Sequence, residues 1–597
     1  MLDPRPLRSA TLTLAAANAV GGLVHVAAYF RLGAGDLDAG GRAYLALALL
    51  AQLALAALLA AAPALLLSLA APLRPLAWLT APLGQAALQL FLEVDRTLLA
   101  VLGTHLDRPA LEVAWTPGGL ASLDLQRGEL VRIGAGIAAL LAAELLLFAW
   151  LHRRAQGGRA VPGAARALAA AAVFLFAGER VTYALGLARG WWEPVRAAAV
   201  LPAYALEEAL QTRVRANDRF RYPRAPLRWR AVEAPPSILW IVIESWRRDG
   251  LAPDTTPALW AFSQDALVFA DHRSGGNWTY AGVFSLFYGL HAAYAPAAQR
   301  SGHGALVLER AQALGYDVRI IASRSTRFPR FRDTIFQGLP EDRIEDDLPG
   351  ADSAERDRVA VERARDFLAR QESGRPFFLA VFLDATHLPY AFAPDSVRFR
   401  PYTDRLYYME MTSPQERLPI YNRYRNALAD VDRTAGAILA ALRQDGLLDR
   451  TAVVLTGDHG QEFYEHGALG HNISFDAEQT AVPLVIRAPG VPHGVRTGLT
   501  RHVDVAPTVL GWLGAESPPS DYANGVPLFG GARPDRAVLC GMRDCAVLDA
   551  SGETTVFRPY APLAPVRVYD PAWRPLPTAR RSPALPEVKR ELTAFIE

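Results

Sequence analysis

The sequence predicts a two-part chain, an N-terminal five-helix transmembrane bundle followed by an α/β domain with a mainly parallel central sheet. Three observations carry this. Residues 1–190 are dominated by Ala and Leu with few charges. Residues 212–597 have the charged, Pro-rich, aromatic-bearing composition of a globular domain, and in them short apolar runs alternate with helical periodicity. At 597 residues the chain also exceeds a single core of ordinary size.

Composition excludes some classes. The net charge of +2 averages a neutral anchor, a basic linker and a mixed-charge domain, and implies no nucleic-acid partner. The only two cysteines, Cys540 and Cys545, rule out a disulfide-stapled scaffold and a multi-thiolate metal cage. Spacing alone leaves open whether they pair.

Apolar runs long enough to span a bilayer occur at about residues 9–30, 43–70, 75–103, 130–151 and 168–188. Arg5 and Arg8 before the first would also suit a cleaved signal peptide, but four further spans favour an anchor. Those two arginines, with Arg74, Arg153, Arg154, Arg159 and Arg166 in the short loops, mark the cytoplasmic side. Five spans starting inside then deliver the large domain outside. Glu93, Asp95, Arg96, Glu144, Glu179 and Arg180 lie in or near the spans. An unpaired charge at a helix centre costs about 2.5–3.5 kcal/mol, so these read as structural pairs or, alternatively, as a lipid or ion pathway.

Residues 191–236 read as an interfacial helix and linker. Trp191 and Trp192 suit an aromatic belt, a helical stretch carries Leu201, Leu206 and Leu210, and a basic run follows with Arg213, Arg215, Arg219, Arg221, Arg224, Arg228 and Arg230. Guanidinium forks close to headgroups match lipid phosphates, which makes Arg213, Arg215, Arg219 and Arg221 candidate lipid ligands, with a solvated hinge as the alternative.

The α/β domain is expected at 237–529, with 530–597 completing it. Candidate strands are 237–243, 317–322, 377–383, 452–457 and 483–488, and an amphipathic helix with Leu428, Val431, Ala435, Ile438, Leu439 and Leu442 on one stripe precedes the fourth. Function in such sheets gathers beyond the carboxyl ends of the strands. There stand Glu244, His387, and Asp458 with His459 in TGDHGQEFYEHGALGHN, which adds His466 and His471. A lone His or Asp at a strand end is more often a cap or a core hydrogen bonder; the joint placement points to a mixed O/N site for one divalent cation, Mg²⁺, Mn²⁺ or Zn²⁺. A Gly-rich turn leads into an apolar helix in RSGGNWTYAGVFSLFYGL, so Thr279 lies near a helix N-terminus, where an anionic phosphate or sulfate is favoured. Attack by the Thr279 hydroxyl on phosphorus would give a covalent phospho-enzyme, with His387 and His471 holding substrate or serving the leaving group and water. The alternative reading of Thr279 is an N-cap, a role for which Asn277 competes, and Ser274 and Ser285 are rival hydroxyls.

IVIESWRRDGL, TPALWAFSQDALVF, the Thr279 segment, THLPY, GDHGQEF with the later GHN, and HVDVAPTVL at 502–510 together resemble the alkaline-phosphatase and sulfatase superfamily over about residues 237–515. Within it they resemble the membrane-anchored branch of lipoteichoic acid synthases and phosphoethanolamine transferases, and the architecture is most similar to the YejM type of bacterial inner-membrane protein. The resemblance implies a periplasmic sulfatase-like domain in which Glu244, Thr279, Asp458 and His459 bind one divalent cation, Thr279 is the nucleophile, and His387 and His471 stand near the substrate. It implies membrane lipids as partners, phospholipid headgroups or lipid A, together with envelope regulatory proteins. The chain lacks the Cys/Ser-x-Pro-x-Arg motif that sulfatases need, which argues against sulfate esters, and a full second set of metal ligands is not evident. Two functions follow: a phosphohydrolase or phosphotransferase acting on headgroups, or a lipid-sensing regulator of lipopolysaccharide for which the chemistry is dispensable.

Overall fold

The computed structural model describes all residues except 1–2, 34–36, 103–104, 107–126, 160–161, 189–218, 372–373, 405, 407–416, 531–532 and 560–565. Trp191, Trp192, Leu201, Leu206, Leu210, Arg213 and Arg215 lie outside the described residues. The chain divides into two compact units, one of helices within residues 4–188 and one within residues 219–597.

The first unit contains α1 (Pro4–Gly21), α2 (Leu23–Gly33), α3 (Ala39–Leu67), α4 (Arg74–Leu102), α5 (Arg127–Gln156) and α6 (Pro162–Ala188). Pro4 at the first position and the Asp3 carboxylate, which accepts from Arg5 N at 2.9 Å, start α1. Helices therefore lie at each of the five expected spans. Among the described residues, three stretches are long and apolar enough to cross a bilayer: Pro4–Arg31, Ala39–Leu67 and Arg127–Gln156. The six ionisable side chains expected in or near the spans have partners. Glu144 accepts from Asn18 Nδ2 at 3.1 Å, and Arg96 and Arg180 each form a 2.5 Å contact with Glu93 and Glu179. Asp95 gathers Tyr29 Oη at 2.7 Å, His105 Nδ1 at 2.8 Å and Leu106 N at 2.6 Å. Pairing of this kind removes most of the cost of charge in an apolar setting and accounts for these residues as structure.

The second unit is built on an eight-stranded, mostly parallel sheet. In chain order its segments are β1 (Ser237–Ile243), β2 (Leu267–Phe269), β3 (His272–Arg273), β4 (Asp317–Ala322), β5 (Ile344–Glu345), β6 (Phe377–Leu383), β7 (Thr451–Gly457), β8 (Glu462–Phe463), β9 (Leu469–Gly470), β10 (Leu484–Arg487), β11 (Gly494–Arg496) and β12 (Thr500–Arg501). The large sheet runs β11-β2-β10-β7-β1-β6-β4-β5, while β3 pairs with β12 and β8 with β9. The central β1, β6 and β7 are buried at every residue, as expected where helices cover both faces and strands become continuous apolar runs. Antiparallel β10 breaks the pattern beside β7. Of the helices, α7 (Thr279–Tyr288), α8 (Ser353–Ala369), α9 (Arg417–Gln444) and α10 (Val505–Trp512) matter below. The predicted stripe of α9 is buried. Trp240, at the centre of β1, stacks on Phe287 of α7 with centroids 4.5 Å apart.

A second, antiparallel sheet follows, β13 (Ala537–Cys540), β14 (Cys545–Leu548), β15 (Thr554–Phe557), β16 (Arg567–Tyr569) and β17 (Pro575–Leu576). Cys540 and Cys545 stand opposite each other in it and form a disulfide. Residues 219–236, read from sequence as the end of the linker, pack on this unit: Phe220 and Tyr222 are buried in its core, and Phe220 and Trp229 form bridges to Ile596 and Ala515.

Because Trp240 fills the interface between sheet and α7, Trp240→Ala should cost about 3–5 kcal/mol. Denaturant unfolding followed by near-ultraviolet circular dichroism checks this, and a loss below about 1 kcal/mol would contradict a close-packed contact there.

A candidate metal and phosphoryl-transfer site at the carboxyl edge of the sheet

Strand register brings the acids together. Ile243 of β1 is paired with Gly457 of β7 and with Leu383 of β6, so the next residues along, Glu244, Asp458 and Asp384, leave the sheet side by side. Neighbouring strands are about 4.8 Å apart, which forces three carboxylates into one row. Glu244 and Asp458 are fully buried.

His459 is the common neighbour of this group. Its Nε2 lies 3.2 Å from Glu244 Oε1, 3.4 Å from Asp458 Oδ2 and 3.3 Å from Thr279 Oγ1, while Nδ1 is 2.7 Å from the Gly460 carbonyl, to which it donates. That bond turns Nε2 toward the acids. Thr279 Oγ1 is 3.4 Å from both Glu244 oxygens. Asp458 Oδ1 accepts from Ser245 N and His459 N, both at 2.8 Å, whereas Asp458 Oδ2 has no hydrogen-bond partner among the described residues. A buried carboxylate oxygen without a donor, beside a second carboxylate, an imidazole nitrogen and a hydroxyl, is the donor set a divalent cation needs. The four residues predicted as ligands are therefore brought into one cluster.

Electrostatics makes the same demand. Burial opposes charge on both acids; at Glu244 the His459 imidazole outweighs it and holds the carboxyl well below the usual range, while Asp458, facing the Glu244 charge, is pushed well above. Burial would also lower His459, but Asp458 and Glu244 lift it to about 9. The pocket thus calls for positive charge at this point, a proton or a metal ion.

Thr279 is the first residue of α7, and Trp278 at the cap position makes no side-chain capping bond. The Thr279 hydroxyl is thereby left to the cluster instead of the helix end. The rivals are engaged differently: Ser274 Oγ donates to the Asp458 carbonyl at 2.5 Å, Asn277 Nδ2 to the Ser474 carbonyl at 2.8 Å, and Ser285 is buried in the helix. Two glycines let the chain come this close. A Cβ on Gly282 would stand 2.0 Å from the Asp458 carbonyl, and one on Gly276 would stand 1.9 Å from that of Cys540. Cys540 N donates to the Gly275 carbonyl at 2.9 Å, so the disulfide hairpin holds the turn before Thr279.

His387 and His471 form a second group with Glu244, their ligand atoms all within 4.8 Å of one another. His387 Nδ1 donates to the Leu388 carbonyl at 2.9 Å and His471 Nδ1 to Gln461 Oε1 at 2.8 Å. Burial, with His459 and His387 nearby, pushes His471 well below the ordinary imidazole range. His466 stands apart from this group, 3.1 Å from Glu478. Ser245, Tyr390 and Asn472, which follow these ligands within three residues, all have positive φ, 52°, 58° and 65°, backbone strain of the kind that gathers at functional sites.

Sequence reasoning missed Arg324. It follows β4 by two residues and its Nη1 lies 3.1 Å from Asp384 Oδ1 and 3.5 Å from Glu244 Oε2. The rule of strand carboxyl ends would have found both Arg324 and Asp384. HVDVAPTVL serves as a brace: His502 Nδ1 meets the Gly282 carbonyl at 3.2 Å, and Asp504 Oδ1 and Arg501 Nη2 are 2.7 Å apart. Of the proposed lipid ligands, Arg219 and Arg221 are exposed, and Arg221 is paired with Glu597 at 2.7 Å.

With this geometry, residues 236–515 match the family model described as Sulfatase. The Inner membrane protein YejM of Salmonella typhimurium is 24% identical over 312 residues, 52% of this chain and 47% of the relative. An uncharacterized protein of Haemophilus influenzae is 24% identical over 332 residues, 55% of this chain and 50% of the relative. The chain spans about half the length of these curated relatives. The integral membrane lipooligosaccharide phosphoethanolamine transferase A (EptA) of Neisseria meningitidis shares the fold, with a TM-score of 0.57 at 15% identity over 84% of this chain and 95% of that one.

Opposed carboxylates make a prediction with a change of sign. Asp458→Asn keeps the Oδ1 acceptor and turns an amide donor toward Glu244, so thermal unfolding of chelator-treated protein should show stabilisation of about 1–3 kcal/mol. Elemental analysis should find less bound divalent metal in the same variant. Destabilisation in the metal-free state would contradict the electrostatic account.

Proposed function

We propose that this chain, whose residues 236–515 match the sulfatase family model, is an inner-membrane, metal-dependent phosphohydrolase or phosphotransferase acting on lipid headgroups or envelope phosphate esters. The observation that carries the reading is a buried threonine hydroxyl at a helix N-terminus, 3.3 Å from an imidazole nitrogen and 3.4 Å from a carboxylate.

Glu244, Asp458, His459 and Thr279 would hold one divalent cation, which when bound supplies Lewis acidity and lowers the pKa of a coordinated hydroxyl. Thr279 Oγ1 attacks phosphorus; the new O–P bond forms as the bond to the leaving alcohol breaks, and Glu244 stands at the distance needed to accept the hydroxyl proton on a carboxylate oxygen. The amides of the first turn of α7 and the Arg324 guanidinium meet the charge on the phosphoryl oxygens. With Nδ1 of His387 and His471 engaged, Nε2 of each is the nitrogen free to serve the leaving group and the incoming water or alcohol.

A threonine nucleophile and the absence of a Cys/Ser-x-Pro-x-Arg motif support phosphate over sulfate esters. The three apolar stretches support a membrane anchor, and the basic loop residues, with the five spans expected from the sequence, support a periplasmic catalytic domain. The Cys540–Cys545 disulfide supports the same oxidising compartment. Anchoring restricts the site to substrates at the bilayer surface, and the name of EptA supports lipid headgroups as their class.

Purified full-length chain should cleave a chromogenic phosphate ester only with a divalent cation, and Thr279→Ala should lower turnover by about a thousandfold or more. Undiminished turnover in that variant would remove Thr279 from the chemistry. Cells complemented with Thr279→Ala and Asp458→Ala should fail where wild type succeeds; full complementation by both would instead favour a lipid-sensing scaffold.

A further inference from the structure

Three imidazoles surround Glu244, and each has its Nδ1 tied down. For His459 and His387 the partner is a main-chain carbonyl, of Gly460 at 2.7 Å and Leu388 at 2.9 Å. A carbonyl only accepts, so Nδ1 must carry a proton, and in the neutral ring Nε2 is then the bare nitrogen. His471 is different: its Nδ1 meets a side chain, Gln461 Oε1, at 2.8 Å. An amide has an accepting and a donating end, and the end it presents selects the imidazole tautomer.

Gln461 is held firmly. It is 1% exposed, its N–H donates to the Glu478 carbonyl at 2.8 Å, and its own carbonyl accepts from Arg247 Nη1 at 3.1 Å. Its Nε2 donates to Tyr390 Oη at 2.6 Å, which leaves Oε1 on His471. Tyr390 is itself fully buried, wedged by Tyr424 and Phe463 with centroids 5.6 Å away in both cases.

We propose that Gln461 is a positioning residue that holds His471 as the Nδ1–H tautomer, keeping its Nε2 lone pair turned toward the reacting centre. The role rests on the phosphotransfer reading above and refines one step of it. In the step that frees Thr279, the water or acceptor alcohol gives its proton to His471 Nε2 as its oxygen bonds phosphorus. The Thr279 Oγ–P bond breaks, and its electron pair returns to the threonine oxygen. With the tautomer reversed, Nε2–H would point at the incoming nucleophile and could not take that proton.

The test uses full-length protein with a chromogenic phosphate ester, and ¹⁵N-histidine correlation spectra that report the tautomer of His471, assigned with His471→Gln. Gln461→Leu should lose the Nδ1–H signature and lower kcat about ten- to a hundredfold with little change in KM, while phospho-Thr279 accumulates. Gln461→Glu, which keeps an acceptor at Nδ1, should restore the signature and most of kcat. Should Gln461→Leu fail to fold, Tyr390→Phe, which frees the amide to turn, should give mixed tautomers and a smaller loss in the same direction. Retention of the Nδ1–H tautomer in Gln461→Leu, or an unchanged kcat, would overturn the proposal. Full turnover by Thr279→Ala would overturn the phosphotransfer reading instead, and the ¹⁵N signature would still decide the role of Gln461.

Discussion

Parallel pairing of β1 with β6 and β7 sets Glu244, Asp384 and Asp458 on one rung past the end of the sheet, and much of the surrounding structure answers the like charge this creates. Arg324 binds the outer member and leans on the middle one. His459 bridges the middle and far acids. The backbone supplies two N–H donors to Asp458, yet one oxygen of that carboxylate stays without a donor. A row of acids is costly to bury, and a fold that keeps it does so for what the acids bind.

The second constraint is proximity. Thr279 enters the cluster because α7 comes close to the end of β7, with Gly282 against the Asp458 carbonyl and His502 meeting the Gly282 carbonyl. The HVDVAPTVL segment is thus a support for the helix that begins at Thr279. Asp504 within it forms a buried pair with Arg501, the residue just before the segment, and also receives Val526 N at 3.0 Å.

Much of this was legible in the sequence, for a physical reason. Strands buried on both faces read as unbroken apolar runs, so SILWIVI, DVRIIA and FFLAVFL fall on β1, β4 and β6 with the same bounds. Because chemistry in parallel sheets sits just past such runs, Glu244, His387, Asp458 and His459 followed directly, and Thr279 followed from the turn before an apolar helix. What was not legible was contact between side chains remote in sequence. Nothing in the spacing marks Arg324 as the partner of Asp384, or Gln461 as the acceptor for His471, although both lie next to motifs that were noticed. The cysteine pairing needed the hairpin register, which only the structure supplies. Hydropathy anticipated helices along the first unit, and among the described residues three stretches are long and apolar enough to cross a bilayer.

The hairpin closed by Cys540 and Cys545 has a further meaning for how the molecule comes to exist. Its backbone completes the hydrogen bonding of Gly275, more than 260 residues earlier in the chain. Every strand of the large sheet, and all four clustered side chains, are synthesised before that hairpin emerges. A nascent chain therefore carries the acids, the imidazoles and the threonine well before the residues that anchor the loop bearing the threonine are made.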